Sequence, residues 1–324
     1  GGDGVHVGAK AGFAKRERSA IGESPASRKL TRWSAPPAVA YHRPMPTPRL
    51  HRPPKHPQAW AWLFGLSQMA VVAIWWLWGW KAGLPALLAT HGTLVWATLR
   101  PQSRLLSPVL TRLPIRERVV WLAIDDGPSD DTRAMLDLLA EHGAKATFFL
   151  VGARAQARPE LVAEIVRRGH GIGQHSHTHP QAWFWALPPR TMRAQIDQAQ
   201  AALTFLTGTR PRWFRAVVGM SNPFVAASLK RNGLARVAWS ARGYDAVLRD
   251  PARVVARIER DLEPGAIVLL HEGAAHGRNV ETLATLLVRL KALGLATVLP
   301  EDLEAASGYE DGRLSPASPR SGSC

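Results

Sequence analysis

From residue 119 to residue 299 the chain alternates short apolar runs with stretches of helical period, and few folds accommodate that order. Residues 119–124, 146–151, 171–174, 212–215, 235–240, 266–270 and 296–299 read as strands. Each is short, mostly apolar or small, and bounded by Gly, Pro or charge. Between them, 130–142 puts Met135, Leu136, Leu138 and Leu139 on one side of a helix. Residues 159–168 start at Pro159 and stop before Gly169, and 191–207 make a longer helix. Further helices start near Pro223 and Pro251, and the last covers 279–293. A strand, a helix and a second strand form a crossover unit, so neighbouring strands run parallel. The expected fold is α/β, with a parallel sheet that is open or closed into a barrel. In such barrels the side chains that carry chemistry sit just past the C-terminal ends of the strands.

Charged and imidazole side chains gather at those ends. The run 119–124 stops at two adjacent carboxylates, Asp125 and Asp126, before Gly127-Pro128 turns the chain. Successive strand side chains point to opposite faces, so one carboxylate can bind a metal while the other handles a proton. A solvated turn with capping acids is the plainer reading of that stretch taken alone. His175-Ser-His177-Thr-His179-Pro180 puts three imidazoles within five residues. His175 and His179 can converge on one ion if this segment forms a helical turn. Two imidazoles plus a carboxylate are a common ligand set for a catalytic divalent metal with open positions. Each stretch strengthens the other. Arg215 ends a strand, where a guanidinium can hold Asp125 by a bidentate pair. Asp245 can orient an imidazole. His271 directly follows an apolar strand, where a buried structural histidine is also common.

Ala123-Ile-Asp-Asp-Gly-Pro128 and His175-Ser-His-Thr-His179 resemble, in order and spacing, the first two motifs of the polysaccharide deacetylases, the NodB-type carbohydrate esterases. The resemblance covers about residues 115–300. It implies a distorted (β/α)7 barrel and a divalent metal cofactor, with Zn2+ the expected ion. The implied substrate is an N-acetylated glycan or lipid-linked sugar. The resemblance also implies Asp125 as general base and Asp126, His175 and His179 as metal ligands. Arg215 would support Asp125, and His271 would be the general acid, supported by Asp245. The backbone N–H of Val218 would face the developing oxyanion. Leu270 would be the apolar substrate contact before the acid. His177 falls at a variable position of the second motif and stays outside the ligand set.

The later motifs depart from the pattern. Arg215-Ala-Val-Val-Gly219 stands where the family has Arg-Pro-Pro-Tyr-Gly, and Asp245-Ala246 where an Asp-Trp pair is usual. Glu272 follows the histidine where Asp is common. Every charged catalytic position remains, so the departures touch substrate identity more than reaction type. The expected reaction is removal of N-acetyl groups. An O-acetyl esterase of the same metal chemistry and a catalytically inactive, membrane-anchored glycan-binding scaffold are the alternatives. The scaffold would show loss of a ligand or of the acid, and neither is lost.

Ahead of this catalytic domain, 118–305, the chain has a different character. Residues 1–55 are rich in Pro, Arg, Ser and Ala, lack any apolar period, and read as a disordered basic tail. Residues 59–80 carry no charge and hold tryptophans at both ends, the pattern of a bilayer span with an aromatic belt. A second uncharged run, 82–99, is long enough to return, so 56–100 is assigned to one or two transmembrane segments. A linker, 101–117, follows. Residues 306–324 return to Gly, Ser, Pro and charge and read as a second disordered tail. Residues 1–55 hold eleven Lys or Arg against three Asp or Glu, and 81–118 hold six against one. Of the formal net charge of +16, only +3 falls to residues 119–324. The basic character thus flanks the apolar runs, which fits a membrane partner and argues against nucleic acid. The expected place is the bacterial inner (cell) membrane, with the side of the catalytic domain left open. Cys324 is the one cysteine, so no intrachain disulfide forms.

Overall fold

The computed structural model describes residues 50–306 and, beyond them, the backbone of two short paired strands, Tyr309–Glu310 and Arg313–Leu314. Most of the two expected tails therefore lies outside the described residues. The first elements are α1 (Ala59–Trp78), α2 (Trp80–Leu99), β1 (Val119–Gly127), α3 (Thr132–Glu141), β2 (Thr147–Leu150), α4 (Gly152–Ala157), α5 (Pro159–Arg167) and β3 (Gly171–Gln174). They are followed by α6 (Pro189–Thr207), β4 (Trp213–Phe214), α7 (Val225–Asn232), β5 (Ala235–Arg236), β6 (Ala241–Arg242) and α8 (Pro251–Arg260). The series ends with β7 (Ile267–His271), α9 (Asn279–Ala292), β8 (Ala296–Thr297) and α10 (Pro300–Ala306).

The strands lie in the order β5-β4-β3-β2-β1-β7-β6, with β8 added beside the start of β1, and every pair is parallel. This is the parallel half-barrel that the alternating pattern predicts. β1 is its centre. Six consecutive residues from Val120 to Asp125 are buried, because the strand is covered on both faces. Leu122, Ile124, Val268 and Leu270 face α3, α5, α8 and α9 in an outer apolar layer. Trp121, Ala123, Phe149, Trp213, Ile267 and Leu269 fill the inner side. Burial of each such large side chain contributes roughly 1.5–3 kcal/mol. The register pairs Asp125 with His271 across β1 and β7, so those two residues end neighbouring strands at one level.

α1 and α2 form an antiparallel hairpin broken at Gly79, whose φ is 74°. Gln68 Nε2 donates to Thr90 Oγ1 at 3.1 Å, and the Phe64 and His91 rings meet edge-on at 5.2 Å. Near the tip, a Cβ on Gly83 would lie 2.4 Å from the Trp75 ring, so only glycine permits this approach. Each helix is 20 residues long, about 30 Å, and apolar enough to cross a bilayer. Trp62, Met69, Val72, Trp76 and Trp78 are all exposed on it. The base of the hairpin touches the α/β domain: Ser221 N donates to Thr98 O at 2.8 Å, and Trp60 packs edge-on against Phe224.

Two expected boundaries move. Leu50, His51 and Pro54, placed by composition in the disordered tail, are buried. Leu50 joins the inner apolar layer, and His51 stands perpendicular to the Trp213 ring and bonds Gly233 O at 2.8 Å. The expected linker is also attached: Leu110 bridges Val237 in parallel and Arg112 bridges Ala266.

Candidate active site

β1 carries both carboxylates into one place by breaking its own alternation. Its register against β2 shifts between Asp125 and Gly127, and Asp126 has φ 74°. Such a bulge re-aims a side chain that strict pleating would send to the opposite face. His175 leaves β3, and His179 comes from the loop behind it. The helical turn expected there does not form. Ser176 and His179 instead adopt left-handed φ values of 65° and 54°, which folds the loop back on itself. Gln195, reaching from α6, accepts from the backbone N–H groups of His177 and Thr178 at 3.1 and 2.9 Å and holds that loop.

The result is a cluster of Asp126, His175 and His179 whose ligand atoms all lie within 4.8 Å of one another. Asp126 Oδ1 is 2.9 Å from His179 Nε2 and 3.4 Å from His175 Nε2. The same buried oxygen has no hydrogen-bond partner of acceptable geometry. Three lone-pair atoms therefore converge without bonding each other, as a cation's ligands do. The tautomer of His175 agrees. Its Nδ1–H donates to Arg215 O at 2.9 Å, which leaves Nε2 unprotonated toward the cluster.

Asp125, fully buried, stands beside this cluster, its Oδ2 3.9 Å from His175 Nε2. Arg215 Nη1 donates to its Oδ1 at 3.0 Å, through one contact and not the bidentate fork expected. Arg215 Nη2 donates to Ala238 O at 3.0 Å, and the guanidinium lies 4.3 Å over the Phe149 ring. Removing either partner of so buried a pair costs about 3–5 kcal/mol. Across from Asp125, the Asp245 carboxylate grips His271 twice: Oδ1 is 2.9 Å from Nδ1, and Oδ2 accepts the backbone N–H at 2.6 Å. Burial pulls the His271 imidazole down, but Asp245 first, then Asp125 and Asp126, push it up to about 9.

Leu270 requires a correction. It was expected beside the substrate, but it packs in the outer layer with Ile124 and Val268. Strand alternation puts its side chain on the face opposite His271, and the apolar residue sharing that face is Leu269. Val218 lies in a single 3-10 turn (Val217–Gly219) after β4, with φ 54°. A β-branched residue in that region is strained, and such strain gathers at functional sites. Its side chain points outward and is 44% exposed.

Several supports of the site were not anticipated. Buried Glu272 accepts from Ser129 N at 3.1 Å, from Ser129 Oγ at 2.7 Å, and from Thr132 Oγ1, stapling the turn after Asp126 to the end of β7. His276 Nε2 meets Asp245 O at 2.7 Å. Of these, only Glu272 stands next to a motif residue in the sequence.

Comparison with known proteins agrees with this geometry. Residues 113–237 match the family model described as polysaccharide deacetylase. A chitooligosaccharide deacetylase of Bradyrhizobium sp. (strain ANU 289) is 35% identical over 162 residues, covering 49% of this chain and 73% of the relative. A peptidoglycan-N-acetylglucosamine deacetylase of Bacillus cereus is 30% identical over 200 residues, 60% of this chain and 92% of the relative. Among solved structures, the family 4 carbohydrate esterase from Streptomyces lividans in complex with acetate superposes with a TM-score of 0.52. It is 28% identical and covers 57% of this chain and 94% of its own.

Proposed function

Because the chain belongs to the polysaccharide deacetylase family, we propose that it is a metal-dependent hydrolase that removes N-acetyl groups from an amino-sugar glycan or glycolipid. The observation that carries this reading is the convergence of Asp126, His175 and His179 between the Asp125–Arg215 and Asp245–His271 pairs. The ligand set fits a divalent cation. It offers one carboxylate oxygen and two imidazole nitrogens, one of them with its tautomer fixed, and Zn2+ suits such donors. A cation held there supplies Lewis acidity toward a carbonyl oxygen and toward water.

The chain's own residues do the rest. Asp125, oriented by Arg215, accepts a proton from the attacking water. The Val218 N–H is the candidate donor to the developing oxyanion. His271 gives its proton to the departing nitrogen, which leaves as a free amine with acetate as co-product. Its Nδ1 is engaged by Asp245, so Nε2 is the atom that donates. The proton is on this imidazole below about 9 and off above it, so the rate should fall as pH rises through that region. Asp245→Asn removes the carboxylate that holds the proton and should move this limb to lower pH. A pH profile of kcat/KM checks both; an unmoved limb in the variant would remove His271 from the role of acid.

The N-acetyl reading and the O-acetyl esterase reading separate on matched N- and O-acetylated sugars. Free amine should appear in step with acetate from the N-acetylated one. Acetate from the O-acetylated sugar alone would overturn the reading.

We further propose that α1 and α2 anchor the chain in the bacterial cell membrane as a hairpin. Both ends then emerge on one side, and the basic residues around them put that side in the cytoplasm. The loop after β4, which carries Val218, also carries the contacts to the hairpin base at Ser221 and Phe224. The catalytic mouth thus opens near the membrane, which favours a lipid-linked sugar as substrate. A reporter fused after Gly308 should be active only in its cytoplasmic form, and activity of an export-dependent reporter would refute the hairpin.

A further inference from the structure

Away from the catalytic residues, a cavity of about 290 Å³ is lined by Arg52, Arg104, Arg112 and Arg236 together with Leu110 and Val109. Among the described residues no acidic side chain lines it. Arg112 pairs with Glu263 outside it. Arg236 is the unusual member. It stands in β5 between Ala235 and Val237, which face the barrel interior, so its own side chain points the other way. It is only 3% exposed. Its Nη2 donates to the carbonyls of Ser103 and Ser107, but among the described residues its Nε and Nη1 have no partner, and the buried Ser107 hydroxyl beside it has none either. Arg215 resolves the same burial with Asp125; for Arg236, burial pulls the guanidinium down to about 10 with no carboxylate opposing it. Buried charges are ordinarily paired, so the missing element is an anion.

The position of the cavity indicates which anion. Arg104 follows the end of α2 by five residues, Arg52 precedes the start of α1 by seven, and Arg236 holds the Ser103 carbonyl, so the cavity is tied to the segments that leave the base of the hairpin. In a bilayer-spanning hairpin that is the level of lipid phosphates. Guanidinium forks match phosphate oxygens in pairs.

We propose that this arginine cavity binds the phosphate group of an anionic membrane lipid. The anion site stands on Arg236 and its neighbours, and the lipid source rests on the membrane reading of α1 and α2. The readout is binding, so it is independent of whether the chain deacetylates.

The test uses the full chain in nonionic detergent, titrated with phosphatidylglycerol, phosphatidylcholine or inorganic phosphate and followed by native mass spectrometry. Phosphatidylglycerol should bind as one saturable copy, more tightly than phosphatidylcholine. Arg104→Gln should weaken it by about tenfold, the loss of one charge-assisted hydrogen bond. Arg236→Gln should weaken it at least as much, and Arg253→Gln, which removes an equal charge from an exposed position on α8, should leave it unchanged. If Arg236→Gln does not fold, Arg104→Gln still decides. Inorganic phosphate bound as tightly as phosphatidylglycerol, with the same sensitivity to Arg104→Gln, would uphold the anion site and overturn the lipid source. No adduct in the natural chain, or adducts indifferent to Arg104→Gln, would overturn the site.

Discussion

His271→Ala should lower the rate of acetate release by about 10²–10⁴-fold, the usual contribution of a positioned general acid, with KM little changed. The expectation rests on the double grip of Asp245, which fixes the imidazole and keeps its proton on at neutral pH. A departing amide nitrogen is a poor leaving group without that proton. Removing the imidazole also leaves Asp245 buried with one partner fewer, which lowers stability as well as rate. Two measurements separate the effects: thermal unfolding of the variant, and its rate with added imidazole, which the vacated and partly open position can admit. A folded variant with unchanged kcat would take His271 out of the chemistry.

The second large effect is expected at the ligand set. His179→Ala should lower metal affinity by at least about a hundredfold, since even a partner behind a ligand is worth 10–100-fold. Activity should fall with occupancy. His179 is suited to this test because it sits on the loop and not in the sheet, at the edge of the cluster. Ser176 and His179 hold left-handed φ values at an estimated cost of about 1–3 kcal/mol each, and Gln195 holds the loop in that shape from outside. Alanine should therefore leave the loop largely in place. Metal content of the purified variant and acetate release are the measurements; a full complement of metal with His179 removed would refute the assigned set.

Much of this was legible from sequence. The alternation of apolar runs and helical period carries the parallel sheet, because parallel strands are apolar on both faces and need a crossover between them. Asp125, Asp126 and His271 stand in the last residues of their strands, His175, His179, Arg215 and Asp245 follow theirs, and the sheet brings those ends together. What stayed hidden depends on backbone detail that residue type does not encode. Strict alternation sends Asp125 and Asp126 apart; the bulge at Asp126 brings them back. An i, i+4 spacing suggests a helical turn for His175 and His179, whereas a left-handed loop does the work. Leu270 adjoins the acid in sequence but faces the helices, since neighbours on a regular strand point to opposite faces. Leu50 and His51 sit in a stretch of tail-like composition, and what gives them a place to pack, the inner apolar layer, the Trp213 ring and the Gly233 carbonyl, lies far along the chain. Glu272 was visible as a departure from the family pattern, but its hydrogen bonds to Ser129 and Thr132 span more than a hundred residues.

The central claim is that Asp126, His175 and His179 hold a divalent ion on which deacetylation depends. Its most direct measurement is acetate release from an N-acetylated glucosamine oligomer or glycolipid by the full chain, before chelation, after chelation, and after Zn2+ is returned. The account predicts turnover, then its loss, then its recovery in proportion to about one ion bound per chain. Undiminished turnover by protein shown to be free of metal would contradict it.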